Sequence, residues 1–139
     1  MPYAALYGIS PSVVAVPLDR PAYRPLTGYW WPLAGGRLSP PLEQFLADGE
    51  PPVFVGFGSM SFSGAVVAGL GRRVVVQRGA ANLSAEGPDV LVVDDEPHAL
   101  LFPRVSVVVH HGGAGTTAAA LRAGPPPRRC PAGWCWRTA

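Results

Sequence analysis

The sequence predicts an α/β chain with a doubly wound, partial parallel sheet, and three observations carry the prediction. Four short Val-rich runs occur after residue 52: "VFVGF" (53–57), "RRVVVQ" (72–77), "DVLVVD" (89–94) and "VSVVV" (105–109). None alternates with polar residues, as expected of strands covered on both faces. Helix-like segments at 64–71, 97–102 and 116–124 separate and follow them, so strand and helix alternate.

Residues 1–52 hold ten of the 17 prolines, which excludes long helices and most strands there. Within this region "SVVAV" (12–16) predicts a short edge strand. "SPPLEQFLADG" (39–49) predicts a helix with Ser39 as N-cap, Pro in the first turn, Leu42, Phe45 and Leu46 on one face and Gly49 at its end. "LTGYWWPL" reads as a packed aromatic anchor, with stacking on a ligand as the alternative. From Phe57 to Arg73 the chain has little more than the dozen residues that a parallel crossover needs, so the first crossover helix is expected to be short or to have lost part of its length.

Composition narrows the function classes. The 139 residues are 48% hydrophobic and only 14% charged, so much of the chain is interior or lies against something else. The net charge is +2, yet all 11 basic residues are Arg, and Arg128, Arg129 and Arg137 sit in the tail. Without them eight arginines face nine acids, a balance of −1, which gives no field for nucleic acid or anionic lipid. No apolar run is long enough for a membrane span and the first residues show no charged-then-apolar leader pattern, so a soluble, cytoplasmic protein is expected. Cys130 and Cys135 both lie in the tail and give no disulfide framework.

Chemistry-bearing residues gather at the strand ends. In open parallel sheets ligands sit beyond the carboxyl ends of the strands, and there the sequence has "GFGSMSFSG", "DDEPH" and "HHGGAGTT". A helix starting near Gly115 would offer free backbone N–H groups and a positive dipole end to an anion. The alternative is that Gly112, Gly113 and Gly115 only make a tight turn, with Thr116 as N-cap. His110 and His111 are adjacent and point to opposite sides of an extended chain, which disfavours a shared metal. His110 is the candidate to donate to a phosphate oxygen, with His111 packing or capping the turn. Ser59 can donate to the same anion or be an ordinary turn serine. Asp94, Asp95 and Glu96 read as a solvated turn rather than a carboxylate set. All three histidines (98, 110 and 111) fall on the same predicted edge.

Other nucleotide motifs fit less well. Residues 113–118 satisfy G-x-G-x-x-A, but on the last strand and with no acid after Glu96 to hold a ribose, which disfavours a dinucleotide-binding oxidoreductase. The chain has no Lys and hence no P-loop, and residues 56–60 break the spacing of a serine-hydrolase elbow.

The stretches "AYRPLTGYWWP" (22–32), "PPVFVGFGSM" (51–60) and "EPHALLFPRVSVVVHHGGAGTTAAALRAG" (96–124) together resemble the nucleotide-sugar glycosyltransferases of the two-domain, Rossmann-like GT-B architecture, of the bacterial antibiotic and sterol glucosyltransferase type. The resemblance covers most of residues 10–124. It implies a UDP- or dTDP-sugar donor whose diphosphate is held by Ser59, His110, Gly113, Ala114, Gly115 and Thr116, and whose nucleobase lies against Pro97 and His98. Family members usually carry Val where Glu96 stands. The reaction implied is inverting, metal-independent hexosyl transfer, without a cofactor, to a hydroxyl of a small acceptor such as a natural product or sterol.

On this resemblance, residues 1–52 are a remnant of an N-terminal domain with a Pro-rich linker. Residues 53–124 are a partial nucleotide-sugar-binding domain, and 125–139 an atypical tail that reads like a shifted frame. The general base and the sugar-binding residues are then expected outside the chain. The fragment alone is expected to be inactive, and a non-catalytic nucleotide-binding remnant or pseudogene product is the alternative.

Overall fold

The computed structural model describes residues 5–16, 18–22, 24–31, 35–58, 71–80 and 82–124. Ser59, nearly all of the expected crossover helix at 64–71 and the whole of 125–139 lie outside the described residues. The chain forms two compact units, Met1–Ala34 and Gly35–Ala139.

In the first unit a parallel bridge joins Tyr7 to Leu26. The Tyr7 N–H donates to Pro25 O (3.0 Å), and the Thr27 N–H donates back to Tyr7 O (2.9 Å). Trp30 Nε1 donates to Thr27 Oγ1 at 2.9 Å, and its ring covers Gly8, where a Cβ would come within 3.0 Å of the indole. Trp30 and Trp31 nevertheless remain 61% and 44% exposed, so within the unit they are not the buried anchor expected from sequence. The strand expected at 12–16 is instead a turn. Pro11 starts it, and Ser10 O accepts from the N–H groups of Val13 and Val14 while its Oγ accepts from Ser12 N. Local capping thus outweighs the β-propensity of the valines.

The second unit holds α1 (Pro40–Ala47), β1 (Val53–Gly56), β2 (Val74–Gln77), β3 (Val90–Val93), α2 (His98–Leu101), β4 (Val107–His110) and α3 (Ala114–Ala123), with a 3-10 turn at Phe102–Arg104. All strand pairs are parallel and the sheet order is β3-β2-β1-β4. Each of the four strands expected after residue 52 is present. β1, β2 and β3 are trimmed to four residues, while β4 is shifted towards the carboxyl side, where it takes in His110. Gly56 stands level with Gln77 on one side and His110 on the other.

Both faces of the sheet are apolar, as the unbroken Val runs require. One carries Phe54, Val75 and Val93, covered by Leu38, Leu42, Leu101, Phe102 and Val105; the other carries Val53, Val55, Val74 and Val76 with Leu83. α1 contributes Leu42, fully buried, with Phe45 and Leu46 beside it, the face read from the sequence. At the amino edge of the sheet the Arg73 guanidinium lies 4.1 Å above the Phe45 ring. It donates to Phe45 O and to Glu50 O, and so ties the end of α1 to the start of β2. Among the described residues no helix is long and apolar enough to cross a membrane.

Candidate functional site

β1 continues to β2 on one side, while β4 pairs with β1 on the other, so the strand order reverses at β1. In a doubly wound sheet that reversal opens a crevice beyond the carboxyl ends of the two strands. The loops that meet there follow Gly56 and His110.

α3 begins at this crevice. The sequence pattern predicts a start near Gly115, with Thr116 as the alternative cap. The helix starts earlier, with Gly113 as N-cap in an extended conformation (ψ 139°) and the Thr117 N–H donating to Gly113 O at 2.9 Å. Gly112, at φ +89°, makes the turn out of β4 possible. No side chain caps this end, so the N–H groups of Ala114, Gly115 and Thr116 are left for another acceptor. Ala114 and Gly115 are exposed, and a Cβ on Gly115 would meet nothing within 4 Å.

The two histidines diverge, as their adjacency requires. His110 is 6% exposed, and its Nδ1 accepts from the Gly112 N–H at 3.1 Å. A neutral imidazole that accepts at Nδ1 carries its proton on Nε2. Burial pushes the His110 pKa below its ordinary value, with smaller contributions from the charges of His111 and His98. The His111 ring lies between two glycines: a Cβ on Gly113 would be 2.6 Å from its Nε2, and one on Gly58 would be 3.2 Å from its Cε1. Its Nδ1 is buried and has no hydrogen-bond partner among the described residues.

The third histidine joins them from the loop after β3. His98 opens α2, stacks on Phe102 (4.4 Å between ring centres, 15° between planes) and meets the Phe54 ring edge-on at 5.7 Å. Its Nε2 is 3.1 Å from Gln77 Oε1, while Gln77 Nε2 donates to Asp95 Oδ1 at 3.1 Å. Burial lowers the His98 pKa, partly opposed by Asp95. Pro97 precedes it as the helix cap and packs near Gly36.

The acidic turn is not uniformly solvated. Asp94 makes an exposed ion pair with Arg78 (3.0 Å), and Asp95 holds Gln77. Glu96 is 9% exposed and accepts the Ser39 N–H at 3.1 Å, so an acid from the sheet edge holds the backbone at the start of α1, where the Ser39 side chain itself makes no capping hydrogen bond. Gln77 and the Glu96 contact were not read as functional from the sequence. Gln77 had a signal: it is the polar residue that closes a Val run, as His110 does. Among the described residues no group of three or more His, Cys, Asp or Glu could hold a metal ion. Ser59 lies outside the described residues.

The fold and this edge define an α/β domain of the kind that forms one half of a GT-B glycosyltransferase. No family model matches the chain. It is 43% identical over 120 residues to O-mycaminosyltylonolide 6-deoxyallosyltransferase of Streptomyces fradiae, covering 78% of this chain and 28% of that protein. It is also 43% identical over 93 residues to vancomycin aglycone glucosyltransferase of Amycolatopsis orientalis (60% and 23%), and 36% identical over 130 residues to a sterol 3-beta-glucosyltransferase of Penicillium rubens (76% and 10%). The crystal structure of the glycosyltransferase SnogD from Streptomyces nogalater superposes with a TM-score of 0.55 at 28% identity, over 86% of this chain and 36% of that one. The chain is thus a homologue of antibiotic and sterol glycosyltransferases and corresponds to part of their GT-B fold, spanning well under a third of the length of these curated relatives.

Proposed function

We propose that the crevice holds the diphosphate of a UDP- or dTDP-sugar, as part of a glycosyltransferase that moves a hexosyl group to a hydroxyl of a small acceptor such as a natural product or sterol. The observation that carries this reading is the uncapped α3 N-terminus at the point of strand reversal, with open space over Gly115. An anion seated there satisfies the N–H groups of Ala114, Gly115 and Thr116 and meets the positive end of the helix dipole. His110, kept neutral and held by Gly112, adds an Nε2–H donor, and the Ser59 hydroxyl is proposed as a further one. The nucleobase lies towards Pro97 and His98.

In the transfer step the acceptor oxygen attacks the anomeric carbon from the face opposite the diphosphate. The bond from that carbon to the phosphate oxygen breaks, its electron pair leaves with the nucleoside diphosphate, and the acceptor proton passes to a general base. Helix-end N–H groups stabilise the charge that develops on the leaving group, so no metal is required. In this reading the acceptor pocket and the base are supplied by residues other than those of this crevice, and the crevice alone is expected to bind the sugar donor without turning it over.

A second assignment within the same site has its own support. Among the described residues His111 Nδ1 has no partner, and its ring lies between the two loops, which makes it the competing phosphate ligand. Calorimetric titration with UDP and dTDP tests both. Saturable binding that is lost in His110→Ala supports His110, loss in His111→Ala alone transfers the role, and no binding by the folded chain overturns the site. Affinity is expected to be equal in EDTA and in Mg²⁺, and NAD is not expected to compete.

A further inference from the structure

We infer that the outer edge of β4 is an interaction surface whose partner is a second copy of this chain, paired antiparallel along β4 about a two-fold axis at Val108. The inference is independent of the nucleotide site proposed above.

β4 has β1 on one side and, among the described residues, no strand on the other. Successive residues of a strand aim their backbone groups to opposite sides. The Ser106 N–H donates to Pro52 O, at the entry to β1, so Ser106, Val108 and His110 face β1. Val107 and Val109 therefore aim N–H and C=O outwards, and among the described residues no backbone hydrogen bond outside the sheet reaches either one. Their side chains are half-buried, whereas every residue of β1 and β2 is buried. Nothing within β4 guards the edge: it has no Pro and no Asp, Glu or Arg, and its register with β1 runs without a bulge. An apolar edge with unpaired backbone groups is a template for another strand.

Register and charge select the second copy. In an antiparallel pair, residues whose backbone groups face the partner stand opposite one another and exchange both bonds. The register that uses both outward residues puts Val107 opposite Val109 of the second copy and Val109 opposite its Val107, with the two Val108 residues meeting at the axis. Ser106 then stands opposite a His110 that burial keeps neutral, and no like charges meet. The other edge of the sheet fails this test. β3 is equally apolar and equally half-buried, but Asp89 precedes it and Asp94 follows it. The same arrangement there sets Asp89 of each copy beside Asp94 of the other, which is unfavourable across a strand pair, and Arg78 is already paired with Asp94 in its own chain. β4 is thus the edge that self-pairs, and it joins two four-stranded sheets into one.

The test uses the full chain. Analytical ultracentrifugation between about 1 μM and 1 mM, the range of a small interface, should find a monomer–dimer equilibrium. Residue-resolved hydrogen exchange should slow at the Val107 and Val109 amides as the dimer fills, and stay slow at Val108 throughout, because that N–H faces β1. Val109→Pro removes one outward donor from each copy, at a position where an edge strand tolerates proline, and should weaken the dimer by about tenfold or more. The matched change on the other edge, Val92→Pro, should leave dimerisation unchanged. If Val109→Pro fails to fold, the exchange pattern of the wild type decides alone. A monomer at every concentration, a dimer in which Val107 and Val109 exchange freely, or a dimer weakened by Val92→Pro and not by Val109→Pro overturns the inference. So does full protection of Val107 and Val109 in the monomer, since residues of the same chain then cover the edge.

Discussion

The His111 ring occupies the space that a side chain on Gly113 would need, with Nε2 only 2.6 Å from where that Cβ would stand. Gly58, at φ +56°, borders the ring from the loop after β1. The imidazole therefore sets the separation of the two loops. Gly113→Ala is expected to force it aside and to destabilise the chain by about 1–3 kcal/mol, measured by urea unfolding, and to weaken nucleotide binding with it.

Gly115 gives the contrasting case. It has open space above it and an ordinary backbone, so Gly115→Ala should leave the urea midpoint unchanged or raise it, since Ala is the better helix former. Nucleotide affinity should nevertheless fall, because the methyl group would stand where the proposed diphosphate approaches the main chain. Unchanged UDP affinity in this variant would remove the anion from that end of α3.

Glu96 holds the Ser39 amide at the start of α1. Replacing it with Val should cost about 1–2 kcal/mol through loss of this hydrogen bond at the start of the helix. Hydrogen exchange of the Ser39 amide should rise in the same variant, and Glu96→Gln should retain part of both effects.

Protonation should report on the edge as well. The folded pKa values of His98 and His110 lie below the ordinary 6.5, so in the window between folded and unfolded values the unfolded chain binds more protons. Stability from these residues is complete above about 6.5 and is lost as the pH falls through that window. Urea midpoints from pH 8 to pH 5 should decline, and His110→Asn should decline less steeply over the same range.

Much of the fold was legible because the Val runs have no polar alternation: strands buried on both faces leave that signature, and four of four were found. The start of α3 was read late because the sequence offers Thr116 as a conventional cap, whereas the backbone uses Gly113 and leaves the end bare. "SVVAV" misled because Ser10 and Pro11 nucleate a turn that propensity counting ignores. The acids of "DDEPH" looked like a solvated turn, since the partners of Asp95 and Glu96 are Gln77 and Ser39, 18 and 57 residues away. Contacts at that separation are made by tertiary packing and leave no local pattern.

The reversal of strand order also has a consequence for how the chain assembles. β1, β2 and β3 are neighbours in sequence as well as in the sheet, but β4 returns to β1, fastened at its entry by the Ser106 N–H and Oγ to Pro52 O, 54 residues away. That closure carries the largest loop entropy in the sheet, so β4 is expected to dock after the other three strands. Pulse-labelled exchange should then protect the Val75 and Val76 amides before that of Val108. The crevice exists only once that last strand is home, which makes a competent site a sign that the whole sheet has finished folding.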